Sequence, residues 1–432
     1  MVRRRPLGPG TLLRWTGGRD LPVWMAVRCR AVQKEDPKVN FEFSEEQYEF
    51  LEQVDRFLEE NYDPEVMDPS RENMSQLVDT PKRRAFMKKI GQRGWLGMTW
   101  PKKYGGSEGE GVYEYLLNER LAGAGCPQIG KGIGIIGKTL IRHGSEKLKQ
   151  EFLPKILEND IEFAVGYSEP QAGSDAAAMA LKAVRDGDGW RLNGQKIFTT
   201  SAHFAEWYWF GARTDPDAPK HKGITLFLMP MNAPGLEIQA METIGEREIT
   251  NQVFFDDAWV SDEYRVGELN QGFQYIAEAL DLERFTMFTF APIEGRVGLL
   301  CNYVATEERD GKPLREDPVL RQRIAQLVTQ TEVARVLGLR FVAKSIKGGA
   351  PPTSEASQYK LYATTHSVRV ANASMDIGGA AAQLRVGMED APIDGRADTS
   401  YRCTVVETIG GGSSEIQKNI IARRKLGLPK NF

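Results

Sequence analysis

Cysteine and histidine are scarce: the 432 residues hold four of each. Cys29, Cys126, Cys301 and Cys403 lie far apart with no C-x-x-C pair, which argues against a disulfide framework and for free thiols in a reducing compartment. His143, His203, His221 and His366 share no ligand spacing with one another or with a cysteine, so no metal site is expected and each histidine reads as structural or superficial. Also missing is any run of about 18 apolar residues, the length a membrane-spanning helix needs. The formal net charge is −3 and no basic stripe follows residue 40. A nucleic-acid partner is therefore excluded, because phosphate binding needs a basic surface.

What is present is length enough for two or three domains with a sizeable core. Residues 1–38 stand apart, with seven arginines in the first 30 positions against one acidic residue, Asp20. A transit peptide would be arginine-rich and poor in acids, but this stretch has no serine and carries Pro6, Pro9 and Pro22, so an amphipathic helix would form poorly. A disordered or mis-started extension is the preferred reading, with Met25 and Val39 as alternative starts. The expected location is cytoplasmic, or the mitochondrial matrix if the arginine-rich segment is a true transit peptide.

Residues 39–160 read as helical. Ser44 followed by Glu45 and Glu46 makes an N-cap, and Tyr48, Leu51, Val54 and Leu58 recur at three- and four-residue steps. From 161 to 265 the texture changes to short apolar runs between turn residues, namely Trp190–Leu192, Trp207–Ala212, Ile224–Met229 and Val253–Phe255. Helical periodicity returns over 266–432. The order is thus helical, β, helical, an α+β chain of three domains. Residues 132–139, GIGIIGKT, satisfy both G-x-G-x-x-G and G-x-x-x-x-G-K-T. Each motif needs a β-strand directly before it, whereas 116–128 is polar and helical in character, so both nucleotide-binding readings are rejected.

The run Gly166–Asp175, GYSEPQAGSD, packs turn formers and hydroxyls into one segment. Pro170 fixes φ, Gly173 supplies freedom in φ, and Ser168, Ser174 and Asp175 offer hydrogen bonds beside exposed backbone N–H groups. Such a loop suits a phosphate-bearing cofactor. With His143–Pro154, Asn193–Thr200, Gly267–Gly272 and Gly412–Gln417 in order, about 390 residues follow one set of landmarks, and the chain resembles the acyl-CoA dehydrogenases. The resemblance implies an N-terminal helical bundle, a central β-barrel-like or β-sandwich domain and a C-terminal four-helix bundle. It also implies an FAD enzyme of fatty acid or lipid catabolism that removes an α-proton and a β-hydride from an acyl-CoA thioester, giving the trans-2-enoyl-CoA.

By that resemblance, Val165, Tyr167, Ser168, Gly173 and Ser174 contact FAD, and Ser174 also lies near the acyl-CoA. Phe198 stands where the family often has a tryptophan flanking the flavin, and Thr200 where a threonine bonds the ring. Arg309 resembles an arginine reaching the FAD pyrophosphate of a neighbouring subunit, Gly378 and Gly379 a glycine pair beside the cofactor, and Ser413 and Glu415 the adenosine-side positions. Many relatives carry the catalytic glutamate where this chain has Gly411. Others carry it on the first helix of the C-terminal domain, where this chain reads LDLERF over 280–285, so Glu283 takes the base position and Asp281 and Arg284 flank the substrate. Periodicity agrees: Phe273, Ile276, Leu280, Met287 and Ala291 trace an apolar stripe, with position 283 about 60° from its centre. A desolvated carboxylate there would have the raised pKa that abstraction from a weak carbon acid requires. Two other functions share these features: a flavin-dependent acyl-CoA oxidase or monooxygenase of the same fold, and a non-catalytic subunit of a mixed oligomer. Electron-transfer flavoprotein as acceptor and a homotetramer or homodimer follow from the resemblance alone.

Overall fold

The computed structural model describes residues 43–69, 77–245, 249–287, 289–346 and 352–429, without the side chains of 281–287 and 345–346. The expectations for residues 1–38 and Cys29 lie outside the described residues. The compact unit that begins at Ser44 holds every element below.

The first helix, α1 (Glu45–Glu60), starts where expected. Ser44 Oγ accepts from the Gln47 N–H at 3.3 Å and Gln47 Oε1 accepts from the Ser44 N–H at 3.0 Å, a reciprocal capping box. The buried stripe is Phe50, Leu51, Val54 and Phe57 rather than the expected Tyr48, Leu51, Val54 and Leu58, and Tyr48 is 49% exposed. Phe50 and Phe57 win because both rings meet Trp95 edge-on, at centroid distances of 5.6 and 5.4 Å. Helices α2 (Pro81–Gln92) and α3 (Gly111–Gly123) follow, then a π-helical segment, Gly132–Gly137, that runs into α4 (Lys138–His143), and finally α5 (Glu146–Leu157). The glycine-rich decoy is therefore preceded by a helix and not by a strand. A Cβ on Gly137 would come within 2.1 Å of the Trp100 ring, and Lys138 pairs with buried Glu114 at 3.0 Å, so the glycine serves packing and the lysine serves an internal ion pair.

Eight strands form one sheet: β1 (Phe163–Gly166), β2 (Lys182–Asp186), β3 (Gly189–Thr200), β4 (Trp207–Arg213), β5 (Ile224–Pro230), β6 (Leu236–Met241), β7 (Thr250–Ser261) and β8 (Arg265–Val266). Their order is β6-β7-β3-β2-β4-β5-β8, with β1 parallel to β4. The expected barrel-like or sandwich domain takes the form of one open sheet. Two-residue β8 pairs with β5 and ends the path at one side, while β6 ends it at the other. Leu192, Tyr208, Phe210, Phe227, Met229, Val253 and Phe255 build the domain's core.

Four long helices complete the fold, as expected of a four-helix bundle: α6 (Gly272–Met287), α7 (Ala291–Thr306), α8 (Pro318–Ile346) and α9 (Thr353–Gly378). Helices α7, α8 and α9 pack about Val297, Leu300, Leu327, Ala334 and Val370, and α6 packs against α9. A small hairpin, β9 (Glu308–Arg309) and β10 (Lys312–Pro313), interrupts the helical run, and α10 (Arg396–Cys403) and α11 (Ser414–Ile420) close it. Ala291, expected at the end of the α6 stripe, instead opens α7, because α6 stops at Met287.

The junction of α6 and α7 is held from a distance. Helix α7 has no side-chain cap of its own, so its first N–H groups need an outside acceptor. Glu119 of α3 supplies it, accepting from Phe290 N at 2.9 Å and Ala291 N at 2.8 Å. Burial pushes the Glu119 carboxyl up to about 7 against those bonds, and burial likewise raises neighbouring Glu294 to about 7. A folded-state pKa above the unfolded one means stability present at acidic pH and lost as pH rises through about 7. The apparent Tm of the protein should therefore fall between pH 6 and pH 8 by the equivalent of roughly 1–3 kcal/mol. The fall should be smaller in Glu119→Gln; thermal melts that are flat across this interval, or identical in the variant, contradict the assignment.

Candidate active site

Strand β1 ends at Gly166 because only glycine fits there. A Cβ would lie 2.1 Å from the Tyr208 hydroxyl on β4, which in turn bonds Thr199 Oγ1 at 3.1 Å. The chain then turns outward. Tyr167 Oη accepts from Trp209 Nε1 at 2.7 Å, and Glu169 and Ala172 exchange both backbone bonds at 3.0 Å around Pro170 and Gln171. Gly173, expected to supply freedom in φ, is not left-handed, and a Cβ there would meet nothing within 4 Å, so open space lies over it. Ser174 is exposed beside it, and Asp175 pairs with Lys220 at 2.7 Å.

The other limb is the end of β3. Ile197 N donates to Ser168 O at 3.0 Å, bringing β3 against the loop. The β3–β7 register shifts between Lys196 and Thr199, and within that shift Phe198 takes φ 56° and stands 60% exposed. A bulky aromatic in left-handed backbone with its ring in solvent costs free energy twice, through strain and through exposed apolar area. Thr200 pairs with Thr250, and its carbonyl accepts from Lys131 Nζ at 3.1 Å, which links the glycine-rich segment to the site. The Ile197–Ser168 bond thus brings Tyr167 and Ser168 beside Phe198 and Thr200, with Val165 on β1 before them and Gly173 and Ser174 beyond the Pro170 turn. An exposed ring beside a loop with open space over Gly173 fits a large planar cofactor.

Further residues form two other clusters in the helical part of the chain. The Arg309 guanidinium donates to Ile377 O, and Gly379, at φ 67°, lies beside it: a Cβ would be 3.9 Å from Arg309 Nη2. Gly378 precedes it at the end of α9. Ser413 caps α11, accepting from Ile416 N at 3.4 Å, and this serine together with the adjacent backbone N–H holds the exposed Glu415 carboxyl below its usual range. Gly411 and Gly412 are both left-handed, at φ 64° and 90°. Their carbonyls are held by buried groups: Gln417 Nε2 donates to both, at 3.2 and 3.0 Å, and Lys360 Nζ to Gly412 O at 2.8 Å.

Asp281, Glu283 and Arg284 lie in α6, but their side chains are outside the described residues. The helix itself packs against the 132–137 segment, β5 and α9, and buries Tyr275, Ile276 and Ala279. Position 283 is seven residues beyond Ile276 and four beyond Ala279, so its Cα falls on that buried face.

Sequence reasoning passed over the pair beneath the loop. Glu169 Oε1 accepts from Lys196 Nζ at 2.7 Å and from Leu181 N at 2.9 Å, and Oε2 accepts from Ala180 N at 2.6 Å and Gln171 Nε2 at 2.9 Å. Both side chains are buried. The signal was there: with Trp190 and Leu192 facing inward, strand alternation points Lys196 inward too.

Comparison with known proteins now decides the family. The N-terminal, middle and C-terminal domains of acyl-CoA dehydrogenases match residues 44–160, 164–258 and 270–426. The chain belongs to the acyl-CoA dehydrogenase family. It is 31% identical to acyl-CoA dehydrogenase FadE26 of Mycobacterium tuberculosis over 80% of this chain and 88% of that one. Among solved structures, the Tcur3481-Tcur3483 steroid ACAD superposes with a TM-score of 0.81 at 31% identity, over 91% of this chain and 100% of that one. The ChsE4-ChsE5 complex from M. tuberculosis superposes with 0.80 at 29% identity, over 91% and 100%. As an acyl-CoA dehydrogenase the protein is an FAD-binding oxidoreductase of lipid catabolism that acts on acyl-CoA thioesters. No described helix is long and apolar enough to cross a membrane, and no group of described residues could hold a metal ion.

Phe198 yields a test of the cofactor surface. Phe198→Gly removes a left-handed aromatic, so the cofactor-free protein should gain up to about 1 kcal/mol of stability. FAD affinity should fall about tenfold through the lost ring contact. Melts of the cofactor-free forms and FAD titrations measure both, and unchanged FAD affinity would remove Phe198 from the site.

Proposed function

We propose that this protein catalyses α,β-dehydrogenation of an acyl-CoA thioester to the trans-2-enoyl-CoA, with Glu283 as the α-proton base. The observation that carries the reading is the contrast between two positions. Gly411, at the place where many relatives hold the base, has no carboxylate and sits in left-handed backbone that disfavours any residue with a Cβ by roughly 1–2 kcal/mol. Position 283 lies on α6, the helix that packs against the glycine-rich segment, β5 and α9.

Bound FAD supplies the hydride acceptor for the β-hydrogen. Tyr167, Ser168, Gly173, Ser174, Phe198 and Thr200 would hold its ring system, and Arg309, Gly378, Gly379, Ser413 and Glu415 its pyrophosphate and adenosine side. The protein's own chemical task is the α-proton: the Glu283 carboxylate takes it as the C–H bond breaks and the C=C bond forms. Abstraction from a weak carbon acid requires a carboxylate more basic than one in water, the direction in which desolvation shifts it. Ser174, Asp281 and Arg284 orient the thioester.

Similarity to a protein described as a steroid ACAD supports a bulky acyl group over a short straight chain. Electron-transfer flavoprotein is the inferred oxidant. The two-chain relatives support assembly into an oligomer, and by the family resemblance Arg309 would serve a neighbouring subunit's cofactor.

Glu283→Gln is the direct test of the base. The variant should retain FAD and bind acyl-CoA while its rate of flavin reduction falls by about 10²–10⁴. Reduction at the parent rate would rule out Glu283.

A further inference from the structure

The two limbs of the cradle are joined by an ion pair from which water is excluded. Lys196, fully buried, reaches Glu169 Oε1 at 2.7 Å and the Tyr167 carbonyl at 3.4 Å, with Met179 Sδ at 3.8 Å. Glu169 also takes the backbone N–H groups of Ala180 and Leu181, so its carboxylate is met by four donors in all. The consequence is geometric. The residues that follow Lys196 are Ile197, whose N–H meets Ser168 O, then Phe198 and Thr200. The residues flanking Glu169 are Ser168 and, at the far side of the turn, Gly173. The ion pair and the adjoining Ile197–Ser168 hydrogen bond therefore together join the limb that carries Tyr167 and Ser168 to the limb that carries Phe198 and Thr200.

Stability alone does not account for such a pair. A buried ion pair costs several kcal/mol per charge to desolvate, and an apolar replacement of similar volume is often neutral or stabilising. What an apolar pair cannot do is fix direction, because dispersion contacts tolerate sliding whereas four convergent hydrogen bonds do not. We propose that Lys196 and Glu169 are positioning residues for the cofactor: their buried contact holds the Tyr167–Glu169 and Ile197–Thr200 limbs at the spacing FAD requires. This rests on the flavin site proposed above.

Three variants, Lys196→Met, Glu169→Gln and the double variant, test it through FAD affinity, melting temperature and the split between kcat and KM with FAD saturating. Lys196→Met leaves a buried carboxylate unpaired, so both its melting temperature and its FAD affinity should fall. The double variant carries no buried charge and should recover most of the melting temperature. Its FAD affinity should nonetheless stay at least tenfold below the parent, with a lowered kcat and a KM for acyl-CoA within about twofold. Parent-like FAD affinity and kcat in the double variant would overturn the proposal, and so would failure of all three to fold, which would assign the pair to folding. Phe198→Ala separates the two readings. If it loosens FAD while the Lys196 and Glu169 variants do not, the site stands and the positioning pair falls; if none of the four loosens FAD, the site itself is misplaced.

Discussion

A lysine ammonium and a glutamate carboxylate share a water-free space beneath the loop that follows β1, and the geometry above them depends on that contact. Burial pulls the Lys196 amine below its usual range, the carboxylate opposes the shift, and two backbone N–H groups fix where the carboxylate sits. Around it the sheet removes slack. Tyr208 fills the space that a side chain at Gly166 would need, Trp209 holds the Tyr167 hydroxyl, and Asn251 binds the Thr199 carbonyl at 3.1 Å. Strain and exposure are then concentrated at Phe198, where a rigid surround can sustain them.

The helical domains supply the other half of the chemistry by bringing elements to the sheet. Lys131, at the start of the glycine-rich segment, donates to the carbonyls of Phe163 and Thr200 at 3.3 and 3.1 Å, so the segment packed on α6 is also tied to the cofactor limb. His143 bonds Glu278 at 2.8 Å and stacks on Tyr275, fixing the first half of α6. Glu119 caps α7 immediately after α6 ends. The helix that carries position 283 is thereby held in its first half, and the helix that follows it is capped, by residues from the N-terminal domain.

Much of this was legible in the sequence where the signal is local. The Ser44 cap, the glycine-rich loop and the change from helical to strand periodicity each lie within a few residues, and each was readable. The misreadings have physical causes. The α1 stripe rotated because Phe50 and Phe57 find Trp95, a partner some forty residues away that periodicity cannot see. Gly173 was credited with conformational freedom, yet its backbone stays outside the left-handed region. Long-range pairs are the hardest class: Arg309 meets Ile377 across 68 residues and Glu169 meets Lys196 across 27, and neither residue type announces its partner.

The central claim is that this cradle binds FAD and works with an acyl-CoA thioester. Anaerobic titration of the purified parent protein with straight, branched, cyclic and steroid-derived acyl-CoAs tests it most directly. The account predicts a yellow protein whose visible flavin band bleaches with at least one bulky acyl-CoA, releasing one enoyl-CoA per flavin. A colourless protein, or a flavin that no member of the panel reduces, would contradict it.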